Sequence, residues 1–362
     1  MKVFLAGTSL LPTYGGPAFS VSQLALALAK VGVEVGLWAA DQSAATTPLL
    51  PACASIRQMT GTEAQALDSF GKADVLHDNG LWLPHNHRLG ELAARRNIPR
   101  LVSTRGMLEP WAMRHKRRKK NIAWWLYQRR DLKRARCHHT TAETEARNVR
   151  RLGLGVPVCV IPNGVEVPQA RPNAAVMNGD RMRRRTALFL GRIYPVKGLP
   201  MLVEAWARVR PEGWILQIAG PDEAGHRSEV EKAVCAAGLD SVVSFTGPAD
   251  GQTKHSVFFN AHLFVYPSHS ENFGMAIAEA LAHGLPVLTT TGAPWSLLPE
   301  RGCGWWVDAT VDGIAEGLRQ ATSCDSTTLR AMGARGHELV VADFGWERVA
   351  NQFVATYEQL LA

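Results

Sequence analysis

The chain has 362 residues, 46% hydrophobic and 20% charged, with a net charge of +8. That length exceeds one ordinary core and suits two α/β domains, and no stretch reaches the roughly eighteen consecutive apolar residues of a membrane span. Six cysteines (Cys53, Cys137, Cys159, Cys235, Cys303, Cys324) stand without any C-x-x-C pair, which argues against a zinc ribbon or disulfide framework and points to a reducing, cytoplasmic setting.

In chain order, the opening MKVFLAGTSLLPTYGG predicts a buried strand at residues 3–6 running into a loop, rather than a cleaved leader. A helical pattern follows over 21–31. Strand patterns come at 33–39, 75–76 and 100–103, while 57–71 shows no clear period. This alternation is the mark of βαβ units on a parallel sheet. An apolar run at 158–161 meets the turn Pro162-Asn163-Gly164, and a polar stretch over 165–185 reads as a linker. A second alternation has strand patterns at 186–191, 214–219, 242–245, 262–266 and 286–289, with helices at 201–209, 228–237 and 275–283. The expected organisation is a first Rossmann-like domain at 1–164, a linker at 165–185, a second domain at 186–345, and an amphipathic terminal helix at 346–362 crossing back to the first domain.

The stretch SENFGMAIAEAL places Glu271 and Glu279 on either side of a Phe273-Gly274 corner that opens a helix at Met275. Such a helix, starting at the carboxyl end of a parallel strand, offers its free backbone N–H groups to an anion. The two carboxylates suit sugar hydroxyls on either side of a phosphate; the same pair also suits a surface helix with solvated acids. In LGRIYPVKG, Arg192 and Lys197 bring two cations to the end of the second domain's first strand, a number that suits a diphosphate. No D-x-D pair occurs, so no metal or other cofactor is expected. In the first domain, Gly15 and Gly16 of TYGGP follow the first strand, without the G-x-G-x-x-G that would point to a dinucleotide oxidoreductase. His77 and Asn79 in HDNGLW and Arg105 in STRGM follow two later strands. A lone histidine there is either a site residue or a structural one.

In this order, G-G-P, G-R-x-x-x-x-K-G and E-x7-E resemble the retaining glycosyltransferases of family 4, across nearly the whole chain and including IPNGV and FGWERVANQF. The resemblance implies an α/β chain of GT-B architecture, two Rossmann-like domains facing each other across a cleft, and a UDP- or GDP-sugar donor. It implies that Arg192 and Lys197 bind the diphosphate, Glu279 the ribose, and Glu271 the transferred sugar. It also implies that backbone groups from Phe273 to Ala276 complete the phosphate site and that Gly15-Gly16 closes over it. Many relatives carry His where this chain has Arg105 and Asn79, and a guanidinium cannot act as a general base. These two are therefore assigned to acceptor or phosphate, and His77 is kept as the histidine of that edge.

Residues 112–136 carry eleven Lys or Arg against one acid, an excess larger than the net charge of the whole chain. Ile122, Trp124, Trp125, Leu126 and Tyr127 lie among these cations. This mixture points to an anionic membrane surface and a lipid-linked saccharide acceptor, as in assembly of O-antigen, capsule or exopolysaccharide at the inner face of the cytoplasmic membrane. A solvated helix with buried aromatics is the plain alternative. A nucleotide-sugar epimerase of the same fold and a nucleic-acid or anion binder using the basic segment are the alternative functions. No nucleic-acid partner is expected.

Overall fold

The computed structural model describes residues 1–114, 117–168 and 184–362, so most of the stretch read as a linker lies outside the described residues. The chain divides into two units, Met1–Gly164 together with Gly345–Ala362, and Val165–Phe344.

The first unit carries seven strands, β1 (Lys2–Gly7), β2 (Glu34–Ala39), β3 (Ile56–Met59), β4 (Val75–Asn79), β5 (Arg100–Ser103), β6 (Cys137–Thr140) and β7 (Val158–Val160). They form one sheet in the order β3-β2-β1-β4-β5-β6-β7, with parallel pairing throughout. Both faces are covered. Helix Gly16–Lys30 lays Val21, Leu24, Ala25 and Leu28 on one face at helical spacing, beside Val349, Phe353 and Tyr357 of helix Trp346–Leu361. The opposite face packs Phe4, Trp38, Leu67, Phe70 and Leu89.

The second unit carries β8 (Arg185–Leu190), β9 (Trp214–Ala219), β10 (Val243–Gly247), β11 (Leu263–Tyr266), β12 (Val287–Thr290) and β13 (Gly304–Val307), ordered β10-β9-β8-β11-β12-β13 and again parallel. Its core is one continuous cluster around Leu188, Trp206, Phe258 and Phe264.

In each sheet the strand order reverses once, between β1 and β4 and between β8 and β11. Loops leaving the carboxyl ends of those strands diverge to opposite faces and open a crevice, which is where ligands bind in such sheets. The loops after β1, β4, β8 and β11 hold Gly15 and Gly16, Gly80, Arg192 and Lys197, and Glu271. No helix among the described residues is long and apolar enough to cross a membrane.

Candidate functional site

In the second unit, two loops meet at the β8/β11 reversal. The turn Pro195–Lys197 ends at Gly198 (φ +68°), where a Cβ would collide with the carbonyl of Pro267. Gly292 lies equally close to the backbone of Ser268 and His269, and its carbonyl accepts from Glu271 N at 2.8 Å. These contacts admit only glycine and fix the strand-end loops against each other.

The result is a buried charged pair. Lys197 Nζ lies 2.5 Å from Glu271 Oε1, with side-chain exposures of 10% and 12%. Ser268 Oγ donates to the same carboxylate at 2.8 Å, and the Lys197 ammonium sits 5.2 Å over the ring of Tyr266. Burial disfavours the charge on Lys197, but Tyr266 and Glu271 outweigh it and its pKa is raised; burial and the Glu271 charge push Tyr266 up to about 12. Lys197 is therefore a fixed cation at the strand edge.

Helix Met275–Ala282 starts one corner further on, from Gly274 at φ +83°. Phe273 is a core residue, its ring packed on Trp295 and Phe344 and its carbonyl accepting from Trp295 Nε1 at 2.6 Å, so only its backbone is available to a ligand. Met275 and Ala276 supply the first helical N–H groups, which have no carbonyl partner within the helix. Glu279 lies one turn along and pairs with Lys254 at 2.6 Å, half-buried. Arg192 is more exposed and pairs with Glu223 at 2.5 Å. The geometry thus gathers Lys197, Glu271 and the helix start, with Arg192 and Glu279 each held by a separate partner. Tyr266 and Ser268, which hold the central pair, were not singled out by sequence; the only signal was their place at a strand end.

In the first unit, Gly15 (φ +79°) caps helix Gly16–Lys30, and a Cβ at Gly15 or Gly16 would meet nothing within 4 Å. Asn79 ends β4, and its Nδ2 donates to Ala6 O at 3.1 Å. Its Oδ1 accepts from Arg105 Nη2 at 2.6 Å and Nε at 3.2 Å, while Arg105 Nη1 donates to Asn163 Oδ1 at 2.9 Å.

His77, expected at the site edge, lies in the core instead, with no exposed surface. His139 Nε2 faces the carbonyl of Ile161 at 2.8 Å and so carries the proton, which leaves its Nδ1 to accept from Ser103 Oγ at 2.7 Å. Ser103 Oγ then accepts from His77 Nε2, and His77 Nδ1 accepts from Tyr357 O–H, each at 2.7 Å. This one-way chain satisfies every member only while both imidazoles are neutral. Burial holds His77 well below its ordinary pKa and His139 down to about 3. His77 anchors helix Trp346–Leu361 and has no face for a substrate.

The basic segment forms helices Pro110–Arg114, Arg117–Ala123 and Arg129–Lys133, with a π-helical turn at Trp124–Gln128; His115 and Lys116 lie outside the described residues. Its aromatics split. Trp124 packs on Trp82, and Tyr127 donates to Trp82 O at 2.7 Å. Ile122, Trp125 and Leu126 are 61%, 77% and 74% exposed. His87, Glu91 and Asp131 are the one metal-ligand-type group among the described residues, but Arg134 already neutralises Glu91 at 2.5 Å and His87 Nδ1 donates to the Asp131 carboxylate at 2.7 Å, so the group ties helix to helix.

Residues 15–164 match the family model described as glycosyl transferase 4-like domain, and residues 184–323 match the model described as glycosyl transferases group 1. The chain belongs to the group 1, family-4-like glycosyltransferases. It is 30% identical over 232 residues to a D-inositol 3-phosphate glycosyltransferase of Actinosynnema mirum, covering 56% of this chain and 52% of that protein. It is 28% identical over 207 residues to a GDP-mannose:cellobiosyl-diphosphopolyprenol alpha-mannosyltransferase of Komagataeibacter xylinus, covering 56% and 51%. The chain spans about half the length of these curated relatives. Among solved structures, HepE of Anabaena in complex with UDP superposes with a TM-score of 0.77 at 16% identity, over 99% of this chain and all of that one. Two doubly wound parallel sheets of this kind make the GT-B fold.

Proposed function

We propose that the protein is a retaining glycosyltransferase that moves a sugar from a UDP- or GDP-sugar to a lipid-linked saccharide in the assembly of a bacterial surface polysaccharide. The observation that carries this reading is the fixed Lys197 ammonium at the β8/β11 reversal, beside Glu271 and the helix start at Met275.

Departure of a nucleoside diphosphate concentrates negative charge on its phosphate oxygens as the anomeric carbon turns positive. Lys197, Arg192 and the N–H groups of Met275 and Ala276 stabilise the first. They are already oriented, so little reorganisation is needed during reaction. Glu271, fixed by Lys197 and Ser268, positions the sugar hydroxyls, and Glu279 takes the ribose hydroxyls. The bond from the anomeric carbon to the diphosphate oxygen breaks, a bond to the acceptor oxygen forms on the same face, and the acceptor's hydroxyl proton passes to the leaving phosphate. Relatives named for nucleotide-sugar and lipid-linked substrates support the substrate classes, as does the UDP in HepE.

The exposed Ile122, Trp125 and Leu126 among surrounding cations support contact with an anionic membrane surface, where such an acceptor is held. The function is tested by thermal-shift titration with UDP, GDP, ADP, TDP and CMP, with and without magnesium. Stabilisation by one nucleoside diphosphate names the donor base. No shift from any of them overturns the transferase reading in favour of an anion-binding role for the basic segment.

A further inference from the structure

Arg105 has an unusual environment for a guanidinium. It follows β5 at the sheet's carboxyl edge, with its own backbone in the left-handed region at φ +49°, a strained setting for a residue with a Cβ. Its three hydrogen bonds all go to neutral amide oxygens, two to Asn79 and one to Asn163. Among the described residues no carboxylate forms an ion pair with it. The nearest acid that acts on it is Glu145, which is occupied elsewhere: Oε1 accepts from Thr104 Oγ1 and Gly106 N, both at 2.6 Å, and Oε2 accepts from Thr141 N at 2.9 Å. Glu145 therefore shapes the loop that carries Arg105 and acts on it through space, without a direct hydrogen bond to it.

The charge is desolvated and has no direct ion pair among the described residues. Burial pulls the Arg105 pKa down to about 10, and its field helps to keep His77 and His139 neutral. Of five guanidinium N–H groups, three are used, leaving one on each terminal nitrogen, and the residue keeps a partly exposed edge. A cation held rigidly by amides, with a spare N–H on each terminal nitrogen, can still donate to the oxygens of a phosphate or carboxylate.

We propose that Arg105, oriented by Asn79 and Asn163, binds a phosphate group of the acceptor. The proposal rests on the transferase reading for its choice of ligand, and names what the acceptor must carry beyond a sugar hydroxyl. Two relatives are named for phosphate-bearing acceptors of different kinds, an inositol phosphate and a diphosphopolyprenol. The shared chemistry is a phosphate monoester or diphosphate.

The test is calorimetric titration of the whole protein with farnesyl diphosphate, farnesol, inositol 3-phosphate, inositol and UDP. One of the two phosphate probes binds while its alcohol does not, and which one binds names the source. Arg105→Gln weakens that probe at least tenfold and leaves UDP affinity unchanged. Because Arg105→Gln alters a buried position, Asn163→Asp is the second variant: it supplies the missing carboxylate, so it raises the melting temperature and weakens the same probe at least tenfold. Failure of both phosphate probes to bind the wild type, or wild-type affinity in both variants, overturns the proposal. UDP serves as a separate arm, since its failure to bind counts against the donor site and leaves the Arg105 result intact.

Discussion

Lys197 and Glu271 are 74 residues apart in the chain and 2.5 Å apart in space, an ion pair buried where two strand-end loops meet. The pair resolves two needs of one crevice. In the proposed reaction the ammonium that receives the diphosphate must stay charged without solvent, and the carboxylate that receives sugar hydroxyls must not swing away. Each holds the other, and Ser268 and Tyr266 hold both.

Removing one partner leaves the other buried and unpaired, at a cost of about 3 kcal/mol. Glu271→Ala therefore lowers the melting temperature and turnover together. Its nucleoside diphosphate affinity stays within about threefold of wild type, since the ammonium remains and gains an anion when the nucleotide binds. Lys197→Ala lowers the melting temperature likewise but weakens the nucleotide by tenfold or more, as expected for a lost charge-assisted contact of about 1.5–3 kcal/mol. Calorimetry on the two variants checks the division; equal nucleotide losses in both would contradict it.

Glu279 is half-buried and pairs only with a partly exposed lysine, so the pair contributes about 1 kcal/mol or less to the fold. Glu279→Ala keeps its melting temperature close to wild type in the absence of ligand. Binding of a nucleoside diphosphate falls about tenfold, the loss of one charged hydrogen bond to a ribose hydroxyl. Inorganic pyrophosphate, which has neither base nor ribose, binds wild type and variant alike. A variant with wild-type UDP affinity would remove Glu279 from the donor site.

Much of the fold was legible because buried parallel strands are apolar. Residues 214–219 and 100–103 are strands at the expected bounds, and the terminal helix begins at Trp346. The misses have physical reasons. β6 reads Cys137-His138-His139-Thr140, a buried strand whose polar side chains are paid for by internal hydrogen bonds that no hydropathy scale anticipates. β3 lies at the sheet edge with Arg57 and Gln58 exposed, and the helix after it announces itself only through the capping box of Thr62 and Gln65. At the site, the spacing of Glu271 and Glu279 located the helix start. The partners did not follow from spacing: Lys197 comes to Glu271 through loop closure across glycines 198 and 292. His77 was placed at the right strand, but its inward orientation depends on where the terminal helix docks.

The neutral histidines make stability fall in acid. His77, His139 and His138 all have folded pKa values depressed by burial, to about 3 for His139 and about 4 for His138, below an unfolded value of about 6.5. Above pH 6.5 neither state takes up a proton on these groups, and their neutral hydrogen bonds contribute fully. Below it the unfolded chain binds protons that the folded one refuses, so stability drops by up to about 1.4 kcal/mol per pH unit for each histidine until the folded pKa is reached. Urea unfolding between pH 7.5 and 5 is expected to show this slope. His138→Leu, which removes a ring bonded only to Leu132 O, lowers the slope by about one histidine's share. A midpoint independent of pH over that range would show that the unfolded chain gains nothing from these protons.

The exposed apolar residues of the basic segment give the last expectation. Trp125 and Leu126 lie within the π-helical turn, which directs Trp124 and Tyr127 onto Trp82 and leaves these two outward. Side chains about three-quarters exposed can be changed with little effect on the fold, so Trp125→Ser with Leu126→Ser keeps the melting temperature and the affinity for nucleoside diphosphate. Binding to vesicles containing an anionic lipid depends on both halves of the segment. The double variant loses the part that persists at high salt, while Arg117→Gln with Arg118→Gln loses the part that salt screens, at roughly 1 kcal/mol per cation near the surface. Co-sedimentation with phosphatidylglycerol and phosphatidylcholine vesicles at low and high salt separates the two contributions. Wild-type protein that sediments with neither kind of vesicle would mark Ile122, Trp125 and Leu126 as a face for something other than lipid.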